Sequence, residues 1–429
     1  MNNSVGIKIK ALRMQNRISQ EELCGNHMSR VVLSRIENGK ALPSLSQIVY
    51  ISRRFNKSLD FFLSDNNLPN VEPTQYKCHH SVIGEMYQKA NYSGIIKVLN
   101  NDEKRMLYKD DYNTDFYFGM SYFQLNVHYE AIKPLKRYIN KFLKSDNDTQ
   151  KKHVMYFITA LNTLSKIMLK NKNYTKCESY LMLAKKHAYI NNVDGSYLGF
   201  VIHNNISYIY LTELKYNEII DLLENFMHVH KEVVYPDVVA SMCLALNVAY
   251  YNIENYEMAI KYAKKAIDLY SYTENREDAG IAYLNYINAL RYSSKIEEGY
   301  SILRVCLNEY SNCGNLYQRF LMQKLILEFN MDDYEQALKT AEIIETGRLS
   351  KRSKCDYYFM LGHIEFVNGN YKKSHEYLLK CQDLYVKNKY FNELFVLYSD
   401  LYEITKDNLY EEKAAECKNA PAKRKNILI

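Results

Sequence analysis

The sequence predicts an all-α protein in which an N-terminal five-helix domain precedes a right-handed superhelix of about nine helix pairs. Glycine and proline are scarce, 14 and 6 among 429 residues, so few segments have the turns that β-structure needs. Hydrophobic residues make up 47% of the chain, too many for a disordered protein. A pattern that returns every 36 to 46 residues fills the chain beyond its first 74 residues.

Charge separates a basic head from a near-neutral body. Residues 1–65 hold 10 Lys and Arg against 5 Asp and Glu, whereas the other 364 residues hold 46 against 44. This imbalance indicates that the head contacts a polyanion. Two prolines among small polar residues mark a linker after the head. The predicted segments are a head at 1–65, a linker at 66–74, a repeat domain at 75–420 and a basic tail at 421–429.

Five short helices are predicted in the head. Ser19 and Ser29 are placed as N-caps of the second and third helices, and Gly39 ends the third. Two short helices joined by a tight turn in a basic bundle are the layout of a helix-turn-helix domain. The predicted helices cover approximately 5–16, 19–26, 30–37, 43–55 and 58–63.

The residues of the head indicate its family more specifically than the arrangement of its helices does. Ile18-Ser-Gln-Glu-Glu-Leu23, Leu33-Ser-Arg-Ile-Glu-Asn-Gly-Lys40 and Pro43-Ser-Leu45 resemble the phage-repressor-like (XRE or Cro/C1-type) family over nearly the whole module. The turn between helices two and three is about one residue shorter than in most members, as it tends to be in the peptide-responsive branch. The resemblance implies that helix three enters a major groove of DNA.

The same resemblance assigns the DNA contacts. Arginine can bond a guanine bidentately and valine can touch a thymine methyl, so the base-facing residues are Arg30, Val31 and Arg35, with Ser34 on the same face. Phosphate contacts set the register, and the residues that match them are Gln20, Asn38 and Lys40. Arg13 and Glu37 are interpreted as an internal ion pair of the fold.

The body repeats a motif in which a small residue follows an aromatic or aliphatic one by three positions. Two amphipathic helices per unit at this period are the signature of tetratricopeptide (TPR) repeats with lengthened loops. The small residue lets the two helices of a unit approach closely. Clear copies begin at Tyr174, Tyr216, Tyr256, Ile296, Tyr334 and Tyr371, and weaker ones fall at Tyr92, Ala131 and Tyr410.

Stacked units of this kind form a concave face from their first helices, and a long groove suits an extended peptide. Asparagine suits that task because its amide offers a donor and an acceptor to a peptide backbone. The predicted peptide-binding residues are Asn162, Lys166, Asn204, Asn205, Tyr208, Asn285, Asn288, Arg291 and Gln323, and His363 falls on the same face.

A phage-repressor-like head before a TPR body resembles the RRNPP family of peptide-pheromone receptors, and the layout is most similar to the NprR-type members. The resemblance spans the whole chain. It implies a transcription regulator that a reimported signalling peptide controls (quorum sensing), acting as a homodimer or tetramer on a double-stranded operator. Whether such a protein activates or represses differs within the family.

Two other function classes were weighed against this one. Some relatives use the TPR body to sequester or dephosphorylate a response regulator, so a protein-interaction switch, alone or combined with DNA binding, is the alternative. HExxH, P-loop, GxSxG and Cys/His ligand spacings do not occur in the sequence, so we predict no enzyme, no metal and no cofactor. The scattered cysteines, and the lack of a signal-like or membrane-spanning apolar run, favour the cytoplasm without membrane contact.

Overall fold

A computed structural model describes residues 4–15, 18–25, 28–38, 43, 45–55, 82–231, 235–273, 275–388 and 390–418, and these residues are helical or form turns. The predicted fifth helix, the linker, the basic tail, Gly39 and Lys40 lie outside the described residues. The chain divides into two compact units, 1–242 and 243–429, and each is described by itself. No helix among the described residues is both long and apolar enough to cross a membrane.

The head contains four described helices, and each of their ends lies within two residues of the predicted one. Ser19 and Ser29 are N-caps as predicted, because each hydroxyl accepts the backbone N–H three residues later. The second helix ends at Gly25, whose φ of 47° suits glycine in this short turn. The four helices are α1 (Ser4–Gln15), α2 (Gln20–Cys24), α3 (Arg30–Glu37) and α4 (Leu45–Arg54).

The predicted internal ion pair holds α1 against α3. Arg13 donates from Nε and Nη2 to the two carboxylate oxygens of Glu37 at 2.6 and 2.9 Å. Arg13 also donates to the carbonyl of Ile18, which ties down the turn before α2. Burial raises the pKa of Glu37, but the bonds from Arg13 and Gln20 outweigh it, so the net pKa lies below the ordinary value. The ion pair is therefore part of the core.

Beyond residue 82, the described chain forms nine helix pairs, and the predicted all-α class with an N-terminal helix-turn-helix domain is confirmed. The clear repeat motifs each begin at the first residue of a second helix. A short helix, α7 (Asp102–Met106), separates pairs 1 and 2. The pairs are α5 (Val82–Gln88) with α6 (Tyr92–Leu99), α8 (Thr114–Gln124) with α9 (His128–Leu143), α10 (Asn147–Lys170) with α11 (Tyr174–Ile190), α12 (Tyr197–Thr212) with α13 (Tyr216–Val229), α14 (Pro236–Asn252) with α15 (Tyr256–Tyr270), α16 (Arg276–Tyr292) with α17 (Ile296–Glu309), α18 (Gly314–Asn330) with α19 (Tyr334–Ile343), α20 (Lys351–Val367) with α21 (Tyr371–Asn388) and α22 (Phe391–Thr405) with α23 (Asn408–Lys418).

Small residues allow close contact between the two helices of a pair. In pair 2, a Cβ on Gly119 would lie 2.5 Å from Leu135 Cγ, so no larger residue fits without a shift. In pair 8, the Ser374 hydroxyl donates to the Gly362 carbonyl at 2.7 Å. Close approach of the two helices therefore explains the small residues at these positions of pairs 2 and 8.

One turn conformation recurs between the two helices of every pair. The residue two positions before each second helix has a positive φ, between 53° and 76°. In pairs 1 to 8, the next residue donates its N–H to the carbonyl five positions back at 2.8–3.0 Å, which is the Schellman bond. The residues with positive φ are Ala90, Asn126, Lys172, Leu214, Glu254, Ser294, Asp332, Gly369 and Lys406.

Replacing Leu214 by asparagine is expected to stabilise pair 4 by about 1 kcal/mol, because asparagine tolerates the left-handed conformation better than leucine. Leu214 is 56% exposed, so little packing is lost. Hydrogen exchange of the α12 and α13 amides measures the gain. Leu125→Asn is the matched control: Leu125 is also exposed in such a turn but has a φ of −85°. Equal effects of both substitutions would contradict the explanation.

Candidate functional site

The helix α3 presents a polar and basic face away from the head's core. Leu33 and Ile36 are fully buried on its inner side. On its outer side Val31 is 68% exposed, an unusual position for an apolar residue between two arginines. The exposed or partly exposed residues of this face are Arg30, Val31, Ser34, Arg35 and Asn38, all five predicted DNA contacts on α3.

The two arginines of this face are available for a ligand. Arg30 lies 3.5 Å from Glu21, but both side chains are well exposed, so the ion pair is weak. Arg35 forms no ion pair with any residue that the structure describes. Asn38 donates to the Ser34 carbonyl at 2.8 Å, which leaves its amide oxygen available.

The predicted phosphate-contacting Gln20 has a second role in the structure. Its Nε2 donates to Glu37 Oε2 at 2.8 Å, so one of its donors belongs to the ion pair under α3. The other donor and the amide oxygen remain for a phosphate or for water. Gln20 thus connects the start of α2 to the core.

In the body, a cavity of about 200 Å³ opens between helix pairs 3 and 4. Predicted residues on the first helices α10 and α12 meet there, although they are separated by about forty positions in the chain. Second-helix residues of α11, which sequence reasoning left out, complete its wall. The lining residues are Ser165, Lys166, Leu169, Cys177, Leu181, Asn204, Asn205 and Tyr208.

The buried Asn162 holds the polar wall of the cavity in place. Asn162 is only 2% exposed, and its Oδ1 accepts a 2.8 Å hydrogen bond from Asn205 Nδ2. The structure therefore places Asn162 beneath the cavity rather than on its surface. The bond orients Asn205 so that its amide oxygen stays available to a donor in the cavity.

Lys166 and Tyr208 give the cavity its charge and its aromatic surface. Lys166 is exposed and forms no ion pair with a described residue, yet surrounding protein excludes water and lowers the pKa of its ammonium group. Tyr208 is 47% exposed. Burial raises the pKa of the Cys177 thiol to about 11, so this cysteine is an inert part of the wall.

The remaining predicted residues lie in the second unit. Asn285 and Gln323 are 5% and 8% exposed, while Asn288 and Arg291 are partly exposed. Asn285 Oδ1, Gln323 Oε1 and Arg291 Nε are buried atoms without a hydrogen-bond partner. Each such atom costs about 1–3 kcal/mol, so the first helices of pairs 6 and 7 hold unused hydrogen-bonding capacity.

His363, on the same predicted face, is engaged elsewhere. Its Nδ1 lies 2.6 Å from Oδ2 of Asp400, which is 5% exposed. The hydrogen bond to Asp400 raises the pKa of His363 despite burial. This contact joins the first helices of pairs 8 and 9 and leaves His363 a structural part of the second unit.

Comparisons with known proteins bear on the head and on the helical fold of the body. The family model described as helix-turn-helix matches residues 9–62. The apo form of RapI is 12% identical with a TM-score of 0.55, covering 78% of this chain and 96% of that chain. The Pyrococcus horikoshii protein PH0952, a signal transduction ATPase with a tetratricopeptide repeat sensor, is 13% identical with a TM-score of 0.52, covering 90% and 64%. Both likenesses concern the helical fold.

Bacillus thuringiensis PlcR, solved with the peptide PapR7 and DNA, is 17% identical over 73% of this chain and 99% of that chain, with a TM-score of 0.29. No curated protein matches the chain. The chain thus joins a helix-turn-helix domain to a TPR-like helical body.

Proposed function

We propose that this chain is a sequence-specific DNA-binding transcription regulator that a short signalling peptide controls. The observation that carries the proposal is the outward face of α3, where Arg30, Val31 and Arg35 lie together in a helix-turn-helix domain. Either arginine can bond a guanine, and contact with a thymine methyl would cover the exposed Val31. The direct readout of sequence is thereby assigned to one helix face.

The cavity between pairs 3 and 4 is the proposed peptide contact in the first unit. Asn204 and Asn205 offer amide groups to a peptide backbone, and Tyr208 offers a flat apolar surface. A volume of about 200 Å³ is small for a whole ligand, so the cavity would hold one part of an extended chain. Residues on other first helices would bind the rest.

Control of DNA binding requires that the peptide prefer one arrangement of the protein over another. We infer a homodimer in the cytoplasm, because two helix-turn-helix domains read two half-sites, each about one helical turn or a multiple apart. A reimported peptide reaches the body in the same compartment. A ligand with equal affinity for both arrangements would leave DNA binding unchanged.

Replacing Arg35 by alanine is expected to remove sequence preference and to weaken binding to the preferred duplex by about tenfold to a hundredfold. The loss arises because Arg35 would bond a base, whereas phosphate contacts are independent of sequence. Competition gel shifts with the preferred and a scrambled duplex measure it. Arg54→Ala is the control, since Arg54 lies on α4 beside Glu22, and preference is expected to survive. Preserved preference in Arg35→Ala would refute this assignment.

Replacing Asn205 or Tyr208 by alanine is expected to weaken peptide binding roughly tenfold, the cost of one lost hydrogen bond or aromatic contact. A mixture of synthetic short peptides is incubated with the protein, and the retained peptides are quantified by mass spectrometry. Tyr189→Ala is the matched control, because Tyr189 is 74% exposed on α11 and does not line the cavity. Equal retention by all three variants and the wild type would exclude the cavity as the site.

A further inference from the structure

Arg319 is a cation in the second unit whose charge has no close counterpart. It lies in the first turns of α18 and is partly exposed. Glu277 acts on it electrostatically, but no described carboxylate forms an ion pair with it. Arg352, one helix pair later, is by contrast bonded to Asp356 and Glu393 at 2.8 Å each. The two arginines show the difference between a structural and an unpaired guanidinium group.

The environment of Arg319 is poorly hydrated. Burial lowers its pKa from the ordinary arginine value, and the charge of Glu277 opposes this. Arginine stays charged at neutral pH nonetheless. A partly buried charge without an ion-pair partner adds little to the stability of the fold, so packing gives no reason for arginine at this position.

Three unpaired buried polar atoms of the second unit, on Asn285, Arg291 and Gln323, lie on α16 and α18. Gln323 follows Arg319 by one turn of α18, so both side chains share a helix face. The backbone of Gly280 and the side chain of Leu316 mark where α16 and α18 run side by side, since a Cβ on Gly280 would lie 2.4 Å from Leu316 Cδ2. Counted along the two helices from this contact, Asn288 lies nearly level with Gln323, and Asn285 lies two residues beyond the level of Arg319.

We propose that Arg319 binds a carboxylate of the peptide ligand, while the amides of Asn288 and Gln323 pair with the peptide backbone beside it. The inference rests on the proposed function and adds a chemical requirement to it: the ligand carries an acidic side chain or a free C-terminus at this point. A guanidinium group suits a carboxylate because it donates two parallel hydrogen bonds. Along a helix axis, Arg319 and Arg291 are separated by roughly 12 Å in this register, room for a few extended residues.

Thermal stability measurements distinguish a ligand-binding role of Arg319 from a structural role. Arg319→Gln is expected to leave the thermal midpoint of the full chain unchanged or to raise it, because it removes an uncompensated charge. Arg352→Gln is expected to lower the midpoint, because Asp356 and Glu393 lose their partner. A drop for Arg319→Gln as large as that for Arg352→Gln would overturn the proposal.

Binding is tested with three pools of synthetic short peptides: free-acid peptides without Asp or Glu, the same peptides amidated at the C-terminus, and amidated peptides that contain Asp or Glu. Wild-type protein is expected to retain at least one carboxylate-bearing pool about tenfold better than the neutral pool. Which pool is preferred distinguishes a C-terminal from a side-chain carboxylate. Arg319→Gln is expected to retain all three equally, whereas Arg319→Lys keeps part of the preference. Arg304→Gln, an exposed arginine on α17, is the control and is expected to behave as wild type.

The outcomes separate this proposal from the one it rests on. Equal retention of all pools by wild type, or an unchanged preference in Arg319→Gln, overturns the carboxylate site and leaves peptide control standing. Retention of no pool by wild type overturns both. A preference that Arg319→Gln abolishes and Arg304→Gln preserves supports the site.

Discussion

Replacing Glu37 by alanine is expected to destabilise the head by about 3–5 kcal/mol and to abolish DNA binding with it. Glu37 is 4% exposed and receives three hydrogen bonds, two from Arg13 and one from Gln20. Its loss leaves the Arg13 guanidinium group mostly buried without a charged partner, with only the Ile18 carbonyl as an acceptor. The penalty is comparable to the whole stability of a small domain. Hydrogen exchange of the α3 amides in the full chain measures it.

Two controls locate the effect in the buried pair. Glu21→Ala removes a carboxylate that is exposed beside Arg30, and it is expected to change α3 protection little. The double variant Arg13→Met with Glu37→Leu is expected to recover most of the protection, because apolar residues fill the site without a stranded charge. Unchanged protection in Glu37→Ala would contradict the assigned role of the pair.

Low pH is expected to weaken the ion pair between Arg13 and Glu37. Since the folded pKa of Glu37 lies below its ordinary value, the pair contributes fully above the unfolded pKa of about 4.3. The contribution disappears as the pH falls through the lowered folded pKa. Acid therefore weakens the head only well below neutral pH.

Acidification is also expected to destabilise helix pair 4. The free energy of opening this pair should fall by about 3 kcal/mol between neutral pH and pH 4. Burial of His203 lowers its pKa from 6.5 to about 4, so the folded protein keeps this imidazole neutral where the unfolded chain protonates it. The ring stacks on Phe226 at 3.7 Å, and Nδ1 lies 2.9 Å from the Gly199 carbonyl. The stabilising contribution is present above pH 6.5 and is lost as the pH falls toward 4.

His203 precedes Asn204 and Asn205 on α12, and both asparagines line the proposed peptide cavity. Opening of pair 4 at low pH is therefore expected to disrupt the cavity. Nearby Lys185, Asp194 and His230 also act on the imidazole, and burial is the largest cause of its lowered pKa. His203→Gln is expected to flatten the pH dependence of α12 amide exchange, whereas His228→Gln, an exposed histidine on α13, is expected to leave it unchanged. A pH dependence that persists in His203→Gln would refute the explanation.

The helices were predictable because local chemistry sets their ends. Ser19 and Ser29 cap their helices with their own hydroxyls, and close helix contact in pair 8 explains the small Ser374. A further signal lay in the same motif. Asn91, Asn173, Asn255 and Asp333 precede the second helices, and each side chain accepts the N–H three residues later. Part of the asparagine in this chain therefore caps helices.

The candidate sites were predictable only in part. Helical spacing brings Lys166, Asn205 and Tyr208 to one cavity, but spacing cannot tell an accessible amide from a buried one. Asn162 thus matches the pattern and yet lies beneath the cavity wall. Cys177 was not predicted as a cavity residue because the groove was expected to be built from first helices alone. Arg319 escaped because an unpaired charge appears only when its neighbours in space are known.

The most direct test is selection of duplexes from a random pool by the full-length protein at physiological salt. Enrichment of one sequence with two half-sites, lost in Arg35→Ala and kept in Arg54→Ala, is the predicted result. Binding of the whole pool with no enriched sequence, or no retention of any duplex, would contradict the assignment of sequence reading to the outward face of α3.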